Sequence, residues 1–217
     1  MPFKAKVGFT AVLRIGKGMS TDPGILATDT WRQGWFALAQ PCPSPNFGPR
    51  PLKACIDLIV VHSISLPPGL YGGTNVQALF TNQLDWDAHP YFQSIRGIEV
   101  SAHFFITRQG VVWQFVSCDD RAWHAGVSTY RGRDNCNDDS IGIELEGLEG
   151  DTYEAAQYLA LADLASHIGQ RYPIAYIAGH EHVAAGRKID PGPGFDWGTL
   201  QEALNHPLNN YLPSQEK

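Results

Sequence analysis

The stretch Ile56-Asp57-Leu58-Ile59-Val60-Val61-His62 constrains this chain most. It is rich in β-branched residues with few polar interruptions, the pattern of a central strand covered on both faces, so layers must pack on either side of one sheet. A second run, Ser140 to Glu146, alternates Ile141, Ile143 and Leu145 against Gly142, Glu144 and Glu146. That is strand periodicity, and it sets both acids on one face. Ala102 to Thr107 and Val111 to Val116 flank Arg108-Gln109-Gly110 and are predicted to pair antiparallel. Val76 to Gln83 reads as a short helix. Tyr153 to Tyr172 reads as the best helix of the chain, with apolar residues at three-to-four spacing and Pro173 as its stop. Ile174 to Ala178 then forms a short strand running into Gly179-His180, Pro191 to Gly194 a turn, and Phe195 to Leu204 a closing helix. The expected fold is α/β, a mixed central sheet of about five or six strands flanked by helices.

A length of 217 residues suits one domain with one core. The reading divides the chain into an N-terminal extension, 1–33, to which no role is assigned, and a domain over 34–217. The extension has no clear helical period and is turn-rich from Gly16 to Gly24, consistent with an added hairpin or a mobile arm. From Gly34 a Trp- and Phe-bearing stretch runs into Pro41, Pro43, Pro45, Pro49 and Pro51, which favours an extended surface connector. Sixteen Lys and Arg against twenty-two Asp and Glu give a net charge of -6, the wrong sign for holding nucleic acid through its phosphates. No apolar run approaches the roughly 20 residues of a membrane-spanning helix. Val7 to Leu13 is followed at once by Arg14 and Lys17 without a small-residue cleavage site, so the chain is expected to be unexported and cytoplasmic. Cys42, Cys55, Cys118 and Cys136 show no C-x-x-C spacing and are read as free thiols, with a Cys118–Cys136 bridge as the alternative.

His62 and His180 fall at strand ends, where α/β proteins place reactive groups, and Asp190 follows ten residues after His180, pinned between Lys188 and the Pro-Gly-Pro-Gly turn. Two imidazoles and a carboxylate are a set that binds zinc in catalytic sites, with the fourth position open. Spacing alone leaves each histidine equally readable as a surface or hydrogen-bonded residue. Glu144, on a buried strand face, is either salt-bridged to a Lys or Arg or is a general base of raised pKa. Lys188 is either a solvated lysine or, pointing to the same side as Asp190 on extended chain, a cation for the site.

Between about Gly34 and Leu204 the chain carries a series of ordered blocks: Val60-Val61-His62 with Ser63 to Gly69, Ala88-His89-Pro90-Tyr91-Phe92, Val100-Ser101-Ala102-His103, Arg121 to Gly126, Cys136-Asn137-Asp138, Ser140 to Gly147, and Gly186 to Pro193. In these it resembles the cytoplasmic N-acetyl-anhydromuramyl-L-alanine amidases of cell-wall recycling, within the wider zinc amidase group of phage lysozyme-type amidases and peptidoglycan recognition proteins. The resemblance implies one zinc ion held by His62, His180 and Asp190, with Glu144 as the acid-base residue and Lys188 facing the substrate carbonyl. It implies hydrolysis of the amide between the lactyl group of an anhydromuropeptide and L-alanine, no obligate protein partner, and in some bacteria a lowered muropeptide signal for β-lactamase induction. His182 has no ligand counterpart, and His89, His103 and His124 are read as structural or pocket-lining, with Tyr91 and Trp123 as walls for substrate. Glu99 and Asn135 stand where arginines gripping the stem-peptide carboxylates are expected, so Arg96, Arg131 and Arg133 are the substitutes. The alternatives are an exported amidase acting on polymeric peptidoglycan and a non-catalytic peptidoglycan-binding module, which would require a damaged ligand set.

Overall fold

The computed structural model describes residues 30–204. The turn-rich stretch Gly16–Gly24 and the Val7–Leu13 run lie outside the described residues. In chain order the strands are β1 (Trp31–Arg32), β2 (Trp35–Phe36), β3 (Gln40–Pro41), β4 (Phe47–Gly48), β5 (Leu58–Ile64), β6 (Phe104–Ile106), β7 (Val112–Gln114), β8 (Arg121–Ala122), β9 (Thr129–Tyr130), β10 (Arg133–Asp134), β11 (Ser140–Glu146) and β12 (Tyr176–Gly179). The helices are α1 (Asn75–Phe80), α2 (Pro90–Ser94), α3 (Ala155–Arg171), α4 (His180–Val183) and α5 (Trp197–Ala203).

One six-stranded mixed sheet, in the order β12-β5-β11-β6-β7-β3, organises the rest. Strands β12, β5, β11 and β6 run parallel, β7 turns back antiparallel on β6, and β3 runs parallel to β7 at the edge. The predicted hairpin across Arg108–Gly110 is therefore present as β6–β7. Strand β5 continues past His62 to Ile64, because β11 pairs with it as far as Glu146 and the Gly147 amide donates to the Ile64 carbonyl.

Alternation along β5 and β11 sorts side chains between two layers. Ile59, Val61, Ile141, Ile143 and Leu145 join Leu161, Leu164, Ala165 and Ile168 of α3 in one core, together with Leu200 of α5. Burying each such aliphatic side chain contributes about 1.5–3 kcal/mol, which fixes the register because a one-residue slip would move every one of them to the other face of the sheet. On the other face, Leu58 and Val60 pack with Ala125, Ala178 and Val183, while Phe105, Phe115, Phe80 and Phe92 form a third cluster under α1 and α2. Gln157 ties α3 to the sheet, accepting from the Glu154 amide and donating to the carbonyls of Glu146 and Ile106. At its far end Tyr172 turns extended ahead of Pro173, as a residue before proline does.

Strands β1 and β2 pair through a two-residue turn at Gln33 and Gly34, both with positive φ, the conformation that matches the twist of a tight hairpin. The division placed between 33 and 34 thus falls at the tip of this hairpin, and Trp31 packs on Phe36 and Tyr172. All four cysteines are unpaired. Among the described residues no helix is long and apolar enough to cross a membrane.

Candidate metal centre and active site

Parallel strands bring their carboxyl ends to one side of the sheet, where open α/β sheets form their crevices. His62 on β5 and Glu144 on β11 are register partners, and β12, the other neighbour of β5, ends at Gly179, so that His180 follows at the start of α4. Asp190, on the turn after α4, completes the group. Together they line a cleft of about 320 Å³ with Lys188, walled by Leu66, Leu79, Phe80, Tyr91 and Trp123.

The donor atoms converge. His62 Nδ1 lies 3.0 Å from His180 Nδ1 and 3.2 Å from Asp190 Oδ2, and His180 Nδ1 lies 3.1 Å from the same oxygen. Ligands about 2.0–2.1 Å from a tetrahedral zinc ion stand about 3.3 Å from one another, so these edges are those of one face of a zinc tetrahedron. Among the described residues this is the group of histidine, cysteine and acid side chains placed to hold a metal ion.

The outer hydrogen bonds show where the lone pairs point. His180 Nε2 faces the Ala125 carbonyl at 3.1 Å, which only accepts, so Nε2 carries the proton and Nδ1 the lone pair. His62 Nε2 faces His124 Nδ1 at 2.9 Å, and His124 Nε2 faces Ser140 Oγ, whose own proton goes to the Cys136 carbonyl. His124 Nε2 must then donate and its Nδ1 accept, leaving the lone pair of His62 also on Nδ1. Burial pushes His62 down to about 4, keeping that imidazole neutral. Two lone pairs and a carboxylate oxygen aimed at one point are satisfied by a cation there, so the donor set fits zinc.

Glu144 stands beside these donors. Its Oε1 lies 4.0 Å from His62 Nδ1, while Oε2 is buried with no hydrogen-bond partner. Burial, and then the Asp190 charge, pushes its pKa well above the ordinary carboxylate value. The alternative reading, a salt bridge to Lys or Arg, is not what its surroundings provide. Glu146, on the same strand face, is committed elsewhere: its two oxygens accept from the Gly72 amide at 2.5 Å and the Arg108 amide at 2.9 Å, tying down the loop after β5.

Four further histidines serve the frame. His182 Nδ1 accepts from the Gly179 amide, His89 Nδ1 caps α2 by accepting from Tyr91, and His103 Nδ1 accepts from Gly142. His124 does more than line the pocket, since it orients His62, and Gly142 is required beneath it: a Cβ at 142 would come within 2.4 Å of the His124 ring. The signal for His124 was present in the block Arg121 to Gly126, but no spacing rule ties it to His62.

Three arginines proposed as grips for substrate stand elsewhere. Arg133 bridges Asp57 and Asp139, and Arg131 lies over the Tyr176 ring. Asp57, Asp139 and Tyr176 all sit where β5, β11 and β12 begin, the end of the sheet opposite the cleft, so neither guanidinium reaches it. Arg96 is paired with Asp87 and Gln93 on the surface and is absent from the cleft lining.

A mixed sheet with a metal-sized ligand set and an unpartnered buried acid at its parallel strand ends is the frame of a metal-dependent hydrolase. The chain belongs to the N-acetylmuramoyl-L-alanine amidase family, whose pattern it matches over residues 52–193. It is 51% identical to the 1,6-anhydro-N-acetylmuramyl-L-alanine amidase AmpD of Citrobacter freundii over 171 residues, covering 78% of this chain and 91% of that one. The crystal structure of a selenomethionine AmpD derivative superposes with a TM-score of 0.78 at 50% identity, covering 80% of this chain and 98% of that one. AmiD from Escherichia coli, in complex with anhydro-N-acetylmuramic acid-L-Ala-D-γ-Glu-L-Lys, is also similar, with a TM-score of 0.50, 29% identity, and coverage of 71% of this chain and 60% of that one.

Proposed function

We propose that this chain hydrolyses the amide between anhydro-N-acetylmuramic acid and L-alanine of soluble muropeptides in cell-wall recycling, with one zinc ion held by His62, His180 and Asp190. The observation that carries the reading is the convergence of three ligand atoms at 3.0–3.2 Å beside the unpartnered oxygen of Glu144. The AmpD and AmiD relatives supply the substrate class by their names. Zinc, when bound, supplies Lewis acidity, polarising a carbonyl oxygen and making a water molecule acidic enough to attack near neutral pH.

The chain's own residues do the rest. Tyr91 and Trp123 wall the cleft and hold the sugar and the first part of the peptide against its apolar lining. Glu144, desolvated and free at Oε2, takes a proton from the attacking water and returns it to the departing alanine nitrogen. Lys188, on the cleft wall near Glu144, places its ammonium toward the carbonyl oxygen as negative charge develops there. The amidase unit spans 34–217 together with the β1–β2 hairpin at its start. The four unpaired cysteines suit a reducing, cytoplasmic compartment.

The test is release of free peptide from purified protein incubated with anhydromuramyl tripeptide, with and without chelator, and with intact sacculi as a second substrate. Cleavage of the soluble muropeptide that stops with chelator and returns with zinc is expected. Preference for sacculi would transfer the reading to an enzyme of polymeric wall, and no cleavage of either would leave a binding module. Lys188→Ala is expected to keep its zinc and to lose ~10²–10³ in kcat, the usual cost of one oxyanion donor, by steady-state assay beside metal analysis. Wild-type turnover in that variant would remove Lys188 from the reaction.

A further inference from the structure

Both imidazoles of the ligand set rest their outer nitrogens on neighbouring residues of one loop, His62 on the His124 ring at 2.9 Å and His180 on the Ala125 carbonyl at 3.1 Å. The backbone amides of His124 and Ala125 in turn donate to a single atom, Asn137 Oδ1, at 3.1 and 2.8 Å. Asn137 is buried, and its backbone carbonyl accepts from Arg50 at 3.2 Å. The same guanidinium donates to the carbonyls of Asp138 at 2.8 Å and Ser140 at 2.9 Å, pinning the loop that leads into β11.

We propose that Asn137 is the positioning residue of the metal centre, its one amide oxygen setting the aim of both histidine ligands at once. An sp² oxygen has two lone pairs and accepts two adjacent N–H groups in one plane, which a shorter hydroxyl at this position does less well. If either amide swung away, the Ala125 carbonyl or the His124 ring would move with it, and the imidazole it anchors would lose the tautomer and the angle that point Nδ1 inward. This gives a task to Cys136-Asn137-Asp138, a block of the sequence to which no chemistry had been assigned, and to the arginine of the proline-rich connector, which holds Asn137 from behind.

The inference rests on His62 and His180 being zinc ligands, and the experiment separates the two claims. Zinc affinity is measured by competition with a chromophoric chelator for the full-length wild type, Asn137→Ala, Asn137→Ser and Asn137→Asp, with the visible spectrum of each cobalt-substituted protein and the Tm of each metal-free protein. Asn137→Ala is expected to bind zinc ~10–100-fold more weakly and to change the cobalt ligand-field bands, the cost typical of lost outer support. Asn137→Ser should fall between Ala and wild type, and Asn137→Asp, which keeps an acceptor oxygen in place, should restore affinity and spectrum toward wild type. Unchanged affinity and spectrum in Asn137→Ala would overturn the proposal, as would equal losses in the Ala and Asp variants. Should the Ala variant fail to fold, an unaltered zinc affinity in Asn137→Ser overturns it instead. A wild type that binds no zinc would sink the metal reading itself.

Discussion

Glu144→Gln is expected to lower kcat on anhydromuramyl tripeptide by ~10²–10⁴, the range a positioned acid-base group supplies, while zinc content stays at the wild-type level. Gln keeps the volume and one acceptor oxygen but neither takes nor returns a proton. The variant should fold well. The buried carboxyl it replaces is already disfavoured in its charged form, with one oxygen lacking any hydrogen bond. Leaving such a group unpaired is itself costly, by roughly 1–3 kcal/mol, so its removal is not expected to lower the Tm. A loss of turnover with metal content and Tm intact would therefore report on chemistry. Turnover within tenfold of wild type would mean that the proton moves through another group. Glu146 is not that group, since both of its oxygens are engaged by backbone amides.

What the sequence revealed and what it hid follow from the range of the interactions involved. The strand Ser140–Glu146 is visible from its alternation alone, because the period-two change between aliphatic and small or acidic residues is a local property of the chain, and its boundaries in the structure are the same, although both faces are buried. His62, His180 and Asp190 are marked by strand ends or a proline-rich turn and Glu144 by its place on a buried strand face, yet their meeting depends on β5 lying between β11 and β12, a matter of topology to which no local pattern speaks. The arginines illustrate the converse. Arg131 and Arg133 are close in sequence to Asn135, but the short hairpin β9–β10 delivers them to the amino ends of the strands, away from the cleft. Closeness along the chain was a poor guide there because one strand length separates the two ends of the sheet. Asn137 escapes the sequence reading for the same reason that makes it effective, its partners being 12–13 residues away, and the structural reading of His124 lacks its partner, which is 62 residues away.

Asp190→Asn is the sharpest probe of the metal centre, because it should move metal binding and metal-free stability in opposite directions. In the wild type the Asp190 oxygen lies 3.2 Å from His62 Nδ1 and 3.1 Å from His180 Nδ1, and the outer hydrogen bonds leave a lone pair on each of those nitrogens. Without a cation, acceptors face acceptors in a buried place. An asparagine at 190 brings an NH₂ group that donates to one of those nitrogens, so the metal-free variant is expected to unfold at a Tm equal to or above that of metal-free wild type. With zinc present the order reverses. Wild type gains RT ln(1 + [Zn]/Kd), about 4 kcal/mol at a thousandfold excess over Kd, whereas the variant, with a neutral and poorer ligand, should show little or no rise in Tm and no amidase activity. Thermal unfolding of both proteins with and without zinc reads out all four states. A zinc-dependent rise in Tm as large in Asp190→Asn as in wild type would show that the carboxylate is not a ligand. A metal-free variant much less stable than metal-free wild type would show that Asp190 acts as a structural acceptor for protonated imidazoles.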